Sequence, residues 1–217
     1  MATWRGLKVL ITAGSTREPL DPVRFLTNAS SGKMGYALAA EARRRGARTV
    51  LVTGPTALPA PKGVRLVPVI TAREMLAASL KRMPGTAVVI GAAAVSDFRP
   101  VKTSRSKIKK VGQRGLMLRL VPNPDVLATL AKRRKNGRPV FAGFALETKN
   151  LLTAAREKMN RKGLDLIVAN GPESLDADFT RATILTREGE MVPYRGPKVG
   201  LAGKILDALE TFIDRTR

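Results

Sequence analysis

Short apolar runs alternate along this chain with longer segments whose apolar residues recur at helical spacing. The runs Leu7–Thr12 and 139–147 have the length and composition of buried strands. The segments 34–46, which stops at a glycine, and 151–162 have the spacing of amphipathic helices. Because parallel strands need a crossover helix between them, this alternation predicts a mostly parallel sheet.

The same pattern gives the bounds of the predicted elements. We predict strands at 7–12, 48–54, 64–69, 86–94, 116–121, 139–147 and 164–170, and helices at 34–46, 72–83, 123–135, 151–162 and 199–213. An antiparallel hairpin over 182–194 turns at Glu188 and Gly189. Residues 98–118 have no apolar period and many charges, which predicts an exposed, mobile loop. We expect one α/β domain over 1–217: a doubly wound, mostly parallel, Rossmann-like sheet with helices on both faces and a small antiparallel appendage.

Polar or glycine-rich segments follow several of the predicted strands. They are "AGST" at 13–16, "GAAAVSD" at 91–97, "GFALET" at 143–148 and "ANG" at 169–171. In doubly wound sheets, ligands bind beyond the carboxyl ends of the strands. We therefore expect a ligand site where these four segments converge.

Composition excludes several kinds of chemistry. The chain has no Cys and no His, which excludes disulfides, thiolate catalysis, Ser-His-Asp hydrolases and His-ligated zinc. The 39 Lys and Arg residues against 17 Asp and Glu give a net charge of +22. Such a surface attracts nucleic acid or small phosphorylated substrates, although a solvated basic surface without a partner would read the same. With no apolar stretch of bilayer length and no signal peptide, we expect a cytoplasmic protein without membrane contact.

The segment "SSGKMG" at 30–35 opens a predicted helix and has three interpretations. A P-loop fails because Thr27 and Met34 stand where its first Gly and its Ser or Thr should be. A dinucleotide fingerprint fits the glycines, but the first strand lies too far upstream and the second strand ends "LVTG", without an acidic residue. What remains is an anion site of backbone N–H groups and hydroxyls at a helix N-terminus, or a purely structural tight turn.

Six motifs occur in an order that resembles a known family. Together they are similar to the phosphopantothenate–cysteine ligase (phosphopantothenoylcysteine synthetase) family of bacterial coenzyme A biosynthesis, over about residues 7–213. In many bacteria this domain is the C-terminal half of a bifunctional protein, after a flavin-dependent decarboxylase that is absent here, so we expect a free-standing ligase or an excised domain. The motifs are "ITAGSTREPLDPVRFLTNASSGKMG", "AAAVSDFRP", "KIKK", "NPD", "GFALET" and "LDLIVAN".

The resemblance implies amide synthesis in two steps. The carboxylate of 4′-phosphopantothenate attacks the α-phosphorus of CTP, which expels pyrophosphate and gives an acyl-cytidylate. The amine of L-cysteine then attacks this mixed anhydride and releases CMP. The resemblance also implies Mg²⁺, without identifying its ligands, and a homodimer with residues 17–24 near the interface. It allows a separate flavin-dependent decarboxylase as a partner and predicts no specific nucleic-acid partner.

The resemblance assigns roles to individual residues. Lys107 is implied to be the catalytic lysine, closing over the triphosphate with the 98–118 loop, and Asn28 to hold the carbonyl of the acyl-cytidylate. Asp97 is implied to contact the ribose, and residues 121–124 with Phe144 the base. The CTP-binding residues implied are Gly14, Ser30, Ser31, Gly32, Lys33, Asp97, Lys107, Val121, Pro122, Asn123, Pro124, Phe144, Lys158 and Lys162, and the substrate-binding residues are Asn28, Ala93 and Ala94.

Departures from the family pattern are small. The chain has "NAS" where "NHS" is commoner, and a slightly shorter stretch between "KIKK" and "NPD". Eukaryotic relatives use ATP, but the "VPNPD" and "GFALET" segments favour CTP. Two alternatives remain at this point: an NAD(P)-dependent oxidoreductase of the same fold class, and a basic nucleic-acid-associated protein without catalysis, which would need stacking aromatics that the sequence does not offer.

Overall fold

The computed structural model describes residues 4–110, 115–174 and 177–215. Its strands are β1 (Lys8–Ala13), β2 (Arg17–Pro19), β3 (Phe25–Thr27), β4 (Arg48–Thr53), β5 (Arg65–Pro68), β6 (Val88–Gly91), β7 (Phe98–Pro100), β8 (Leu120–Pro122), β9 (Val140–Leu146), β10 (Leu166–Asn170), β11 (Phe179–Thr186) and β12 (Met191–Pro197). Its α-helices are α1 (Lys33–Arg44), α2 (Ala72–Arg82), α3 (Val126–Ala131), α4 (Leu151–Lys162) and α5 (Lys198–Arg215), with a 3₁₀ helix at Pro172–Ser174. Within these ranges no helix combines the length and apolar character needed to cross a bilayer.

Eight strands form the central sheet in the order β12-β11-β10-β9-β6-β1-β4-β5. Within this sheet, β10, β9, β6, β1, β4 and β5 pair in parallel with their neighbours. Strand β11 is antiparallel to β10, and β12 is antiparallel to β11. The parallel part has the strand order of dinucleotide-binding sheets, in which the chain order reverses between β1 and β6. This confirms the predicted fold class, and the antiparallel hairpin is an extension of the main sheet.

Helices cover both faces of the sheet. Alternate residues of β1 face opposite ways: Val9 and Ile11 are buried with α1 and α5, while Leu10 is buried with α2, α3 and α4. Burial on both faces explains why the parallel strands read as continuous apolar runs. The sheet edges are therefore the places where polar loops gather.

The region 98–122 differs from the prediction. Its start is strand β7, which pairs with β8 as a separate two-stranded ribbon, and the strand predicted from 116 begins only at Leu120. Such a ribbon leaves one face in solvent, so Phe98 is half exposed and no apolar period marks the strand. Residues 111–114 of the predicted loop lie outside the described residues.

Two further elements differ from the prediction. The helix predicted over 123–135 is only α3, because Asp125 caps its N-terminus by accepting from Ala128 N at 3.0 Å. Beyond it, Asn136 and Gly137 have positive φ and reverse the chain. The hairpin β2–β3, inserted between β1 and α1, was not predicted at all.

Candidate active site at the carboxyl ends of the strands

A cavity of about 720 Å³ lies beyond the carboxyl ends of β1, β6, β9 and β10. Its walls include residues 27–34, 91–97 and 123–127, together with side chains of α4 and the start of α5. This is the edge where the strand order reverses between β1 and β6. Its volume falls in the range of cavities that hold substrates or cofactors.

The N-terminus of α1 opens into this cavity. Gly32 is its N-cap, with φ 80°, and the first helical turn contains no acidic residue. The first N–H groups of a helix have no acceptor within the helix, and the helix dipole favours an anion there. Ser30 Oγ accepts a hydrogen bond from Gly32 N at 3.3 Å and shapes the approach to the helix. This geometry fits a phosphate or a carboxylate.

Glycines let α1 start directly against the end of β1. A Cβ at Gly35 would lie 2.4 Å from Ala13 Cβ, and a Cβ at Gly32 would lie 3.2 Å from Gly14 Cα. Gly14, Gly32 and Gly35 thus provide the close approach that a dinucleotide fingerprint provides, although the β2–β3 hairpin separates them in sequence.

Asn28 connects the two loops that flank the strand-order reversal. Its Nδ2 donates to the main-chain oxygen of Val95 at 3.1 Å. An amide side chain has a second N–H and a carbonyl oxygen. The bond to Val95 therefore orients Asn28 at the cavity without using all of its hydrogen-bonding capacity.

Lysines of α4 form one wall of the cavity. Lys162 Nζ lies 2.7 Å from the Oδ2 of Asp125, which joins α4 to the N-terminus of α3. Burial, and then the positive charge of Lys162, lower the pKa of Lys158 below its ordinary value of 10.5. An anion in the cavity would relieve that unfavourable charge at Lys158.

Two more lysines approach from the opposite wall. Lys33 Nζ forms an ion pair with Asp178 at 2.8 Å, and this hydrogen-bonded pair lowers the pKa of Asp178. Lys198, the first residue of α5, donates from Nζ to Ser174 O at 3.0 Å. Sequence analysis missed Lys198. The predicted hairpin could have indicated its position. Two antiparallel strands after β10 return the chain to the carboxyl edge of the sheet, where the next helix must begin.

The segment before α3 is tied to the loop after β6. Asn123 N donates to Asp97 O at 2.7 Å, and Asn123 Nδ2 donates to Ser96 O at 2.9 Å. Asp97 is exposed at the cavity, while Phe144 both lines it and packs against the core formed with α1 and α5. Phe144 therefore belongs both to the core and to the cavity wall.

Most of the residues implied by the resemblance meet in this cavity. Those that line it are Asn28, Ser30, Ser31, Gly32, Lys33, Ala93, Ala94, Asp97, Asn123, Pro124, Phe144, Lys158 and Lys162. Gly14 is not in the lining but lies against Gly32, which is. Val121 and Pro122 belong to β8 and lie outside the lining. Lys107 is also outside it.

Lys107 lies on a segment that docks elsewhere on the protein. Its side chain is exposed, and its neighbour Ile108 donates from N to Asp21 Oδ2 at 3.1 Å. Arg24 Nη2 donates to Ile108 O at 2.7 Å, and Ser104 N donates to Leu20 O at 2.9 Å. The structure therefore holds this lysine beside the β2–β3 turn instead of in the cavity.

Asp21 organises that docking site and was missed by sequence analysis. The buried carboxylate accepts from the main-chain N of Val23 and of Arg24, each at 2.8 Å, and from the Arg24 guanidinium at 2.6 Å. The side-chain hydrogen bond from Arg24 holds the pKa of Asp21 well below its usual range. An Asp-Pro-x-Arg sequence is the local signal for such a turn.

The described lining offers too few carboxylates to bind Mg²⁺ without the phosphate groups of a substrate. Residues 4–110, 115–174 and 177–215 contain no group of three or more Asp, Glu, His or Cys side chains suited to a metal. Asp125, a carboxylate of the lining, is already paired with Lys162. Mg²⁺ commonly needs only one or two carboxylates when substrate phosphates and water complete its shell, and Asp97 offers one.

Comparison with protein families decides the relationship of this chain. It matches the family described as DNA/pantothenate metabolism flavoprotein C-terminal domain (DFP) over residues 4–212. The chain belongs to this family. In the structure, β4 ends at Thr53 and is followed by Gly54, without the acidic residue that would bind an adenosine ribose in a dinucleotide-dependent oxidoreductase.

Curated relatives of this DFP-family chain include longer proteins. It is 44% identical over 214 residues to the coenzyme A biosynthesis bifunctional protein CoaBC of Escherichia coli K12, covering 96% of this chain and 52% of that protein. It is 41% identical over 221 residues to the CoaBC of Mycobacterium tuberculosis H37Rv, covering 96% and 53%. The chain thus spans about half the length of the curated relatives it matches.

Solved structures agree with the fold. The crystal structure of the C-terminal domain of a CoaBC protein matches with a TM-score of 0.85 and 35% identity, covering 99% of this chain and all of that one. A Cab2 mutant in complex with phosphopantothenate-cysteine matches with a TM-score of 0.80 at 18% identity, covering 98% and 89%. At that identity the second match shows a shared fold only.

Proposed function

We propose that this chain is a CTP-dependent phosphopantothenate–cysteine ligase of coenzyme A biosynthesis. The observation that carries the proposal is the cavity at the strand-order reversal, which gathers a helix N-terminus, several lysines and the oriented amide of Asn28. Its CoaBC relatives, whose name states a role in coenzyme A biosynthesis, support the same conclusion.

Charge is the main requirement of the first step. CTP and 4′-phosphopantothenate bring a triphosphate, a phosphomonoester and a carboxylate together, and phosphoryl transfer depends mainly on positioning and charge neutralisation. The N-terminus of α1, with Lys33, Lys158 and Lys162, supplies positive potential around the cavity. In the proposed step, a carboxylate oxygen forms a bond to the α-phosphorus while the bond to the β-phosphate oxygen breaks and pyrophosphate leaves.

Asn28 serves the second step in this proposal. The amine nitrogen of L-cysteine attacks the acyl carbon of the acyl-cytidylate, the acyl–phosphate bond breaks, and CMP leaves with the bonding electrons. The attacking amine loses a proton to solvent or to the departing phosphate. The remaining N–H of Asn28 would donate to the acyl oxygen as negative charge develops on it.

Lys107 needs a conformational step in order to act. We propose that residues 101–110 leave the β2–β3 turn when CTP binds and bring Lys107 to the departing pyrophosphate. The bonds that must break include those from Ile108 to Asp21, from Ser104 to Leu20, from Thr103 to Pro19 and from Arg24 to Ile108. Only such a movement gives this lysine a catalytic role.

The base and the metal have less direct support. Main-chain groups of Asn123 and Pro124, the part of 121–124 that lines the cavity, would select cytosine while the ring of Phe144 packs nearby. Asp97 would contact the ribose or a Mg²⁺ ion carried by the triphosphate. Bound Mg²⁺ would supply charge neutralisation at the phosphates. The lysines and the α1 N-terminus perform the same neutralisation from the protein side.

A homodimer is part of the proposal. Large apolar side chains are exposed on and beside the two small sheets, including Phe25 and Val23 near β3 and Phe98, Leu120 and Met117 near β7 and β8. The two small sheets touch through β2 and β7, and exposed apolar side chains gathered in one region are typical of an interface. We also propose a cytoplasmic location. Because the curated relatives are about twice as long as this chain, we further propose a flavin-dependent decarboxylase as a separate or fused partner.

Pyrophosphate release tests the proposed function. The chain is incubated with CTP, Mg²⁺, 4′-phosphopantothenate and L-cysteine, and each component is then omitted or CTP is replaced by ATP. We expect release that requires CTP and 4′-phosphopantothenate, and amide product that also requires cysteine. No release with the complete mixture, or stabilisation of the protein by NADPH alone, would contradict the proposal.

A further inference from the structure

A second cavity, of about 540 Å³, lies at the opposite edge of the sheet. It is lined by residues at or just before the amino ends of the parallel strands, including Lys8 of β1, Arg48 of β4, Ala87 before β6 and Pro139 before β9. Since β1 is six residues long, about 20 Å of sheet separates this amino-edge cavity from the candidate active site.

The amino-edge cavity is strongly cationic. The basic side chains that line it are Lys8, Arg48, Arg133, Lys135 and Arg138. Its described lining includes neither Asp nor Glu, and none of these five is in an ion pair with the described part of the chain. Burial, and then the charge of Arg48, lower the pKa of Lys8.

Asp165, which directly precedes β10 at this edge, is already neutralised. Buried Asp165 pairs with Arg134 at 2.6 Å and with Arg187 at 2.8 Å, and it accepts from Phe141 N at 2.8 Å. A compensating acid is therefore present for other arginines of this region but not for those that line the cavity.

Internal hydrogen bonds account for only part of the cationic cluster. Lys8 Nζ donates to Pro84 O at 2.9 Å, and Arg48 Nε donates to Gly6 O at 3.0 Å. An ammonium group has three donors and a guanidinium has five. These two bonds anchor the side chains and leave further N–H groups for a ligand.

Two of the cations stand on a rigid turn. The main chains of Lys135 and Arg138 exchange hydrogen bonds, N to O, of 3.0 Å in both directions. Between them, Asn136 and Gly137 have φ of 50° and 73°, the left-handed conformation that a two-residue hairpin turn requires. The turn fixes the main-chain positions from which these two exposed side chains project before any ligand arrives, which lowers the entropic cost of binding.

We propose that the amino-edge cavity binds a small polyphosphate anion, at a site separate from the candidate active site. Clustered Lys and Arg donors suit phosphate oxygens, and the volume is that of a small-molecule site. A single nucleic-acid strand is the less suitable ligand, because stacking platforms are aromatic and the described lining of this cavity contains no aromatic side chain. The proposal does not depend on the ligase activity.

Calorimetric titration with inorganic tripolyphosphate tests the proposal. The wild-type chain should show two classes of site. The double variant Lys135→Gln/Arg138→Gln should lose about 100-fold in affinity at one class, since each of the two charged hydrogen bonds contributes about tenfold. Lys158→Gln/Lys162→Gln should weaken the other class. Pyrophosphate release by the amino-edge variant with the complete substrate mixture should stay within about twofold of wild type.

A matched control separates a built site from net charge. Arg73→Gln/Arg161→Gln also removes two positive charges, but from exposed positions of α2 and α4. It should leave the affinity for tripolyphosphate at both classes of site unchanged. Arg133→Gln is a second test of the cavity if the double variant unfolds. The proposal would be overturned if the control variant weakened tripolyphosphate binding as much as Lys135→Gln/Arg138→Gln does. It would also be overturned if neither that double variant nor Arg133→Gln changed the titration, or if a 20-nucleotide single strand bound more tightly than tripolyphosphate.

Discussion

Two regions of the molecule are built in different ways: the walls of the candidate active site, called here the carboxyl-edge cavity, and the segment that carries Lys107. The cavity walls are ends of buried strands and first turns of helices, fixed by the two cores of the sheet. Residues 101–110 are mostly exposed and are held at the β2–β3 turn by hydrogen bonds, including those from Ile108 and Ser104. The site for anions is therefore preformed, whereas the proposed catalytic cation is not, and binding should be separable from turnover.

Lys107→Gln should have the largest effect. Loss of a cation that acts on the departing pyrophosphate should lower turnover by about 10²–10³-fold. The affinity for CTP should change by less than about threefold, because the contact that Lys107 gains in the bound state is offset by the docking bonds that residues 101–110 lose. Rapid-quench pyrophosphate release and equilibrium CTP binding measure the two quantities.

The neighbouring exposed lysines provide the control for that variant. Lys109→Gln and Lys110→Gln remove the same charge from the same segment and should leave turnover nearly unchanged. If Lys107→Gln weakens CTP binding as much as it slows turnover, the separation between the two regions is wrong.

Asn28→Asp should affect the second step more than the first. The new carboxylate repels the developing oxyanion, so amide formation should slow by about 10²-fold while pyrophosphate release continues for one turnover. Acid quenching and mass spectrometry should detect accumulated acyl-cytidylate. Normal product yield without a trapped intermediate would remove Asn28 from this role.

Substitution of the lysines that line the preformed cavity should lower the affinity for phosphorylated ligands. Lys158→Gln should weaken CTP binding by about tenfold through loss of one charge-assisted contact, with turnover at saturating CTP little changed. Lys198→Gln tests the cation that sequence analysis missed, and we expect a similar loss for whichever phosphorylated substrate occupies that wall. Calorimetry with CTP and with 4′-phosphopantothenate distinguishes the two. Unchanged affinity for both ligands in both variants would contradict the account.

The pH dependence of CTP binding should report Lys158. Burial lowers its pKa in the free chain, and a bound triphosphate favours the protonated form and raises that pKa again. Binding therefore takes up a proton, and affinity should fall as pH rises through the lowered value, starting below 10.5. In Lys158→Arg the decline should move to higher pH. Dissociation constants measured between pH 7 and pH 10 check this, and an identical decline in both proteins would assign it to another group.

Asp21→Asn should have the smallest effect on activity. It weakens the acceptor of Ile108 N and the pairing with Arg24, so residues 101–110 should dock less firmly without any change in the cavity. We expect faster amide exchange in that segment, a change in turnover of a few fold and unchanged CTP affinity. Exchange as slow as in wild type would mean that Asp21 does not control the docking.

The parts of the molecule that sequence could predict share one physical basis. Strands buried on both faces leave continuous apolar runs, and loops that follow parallel strands must meet at one edge, which placed Asp97, Phe144 and Asn170 near one another. The place of Asn28 in the site was implied by the family resemblance alone, because the β2–β3 hairpin before it was not predicted. Ribbon β7–β8 has no doubly buried face and leaves no such pattern. Strand β7 was therefore missed, and the strand predicted from 116 begins only at Leu120.

The missed residues depend on contacts between distant parts of the chain. Lys198 reaches the cavity only because β11 and β12 extend the main sheet and return the chain to its carboxyl edge. Asp21 docks Ile108, which is 87 residues away in sequence. Local propensity cannot encode such partners, so the position of Lys107 beside the β2–β3 turn was not predictable.

A crystal structure of the chain with bound CTP is the most direct test of the central claim. The account predicts the nucleotide in the carboxyl-edge cavity, its phosphates at the N-terminus of α1, and residues 101–110 moved so that Lys107 approaches them. A cavity left empty at saturating CTP, or a bound triphosphate with Lys107 still docked beside Asp21, would contradict it.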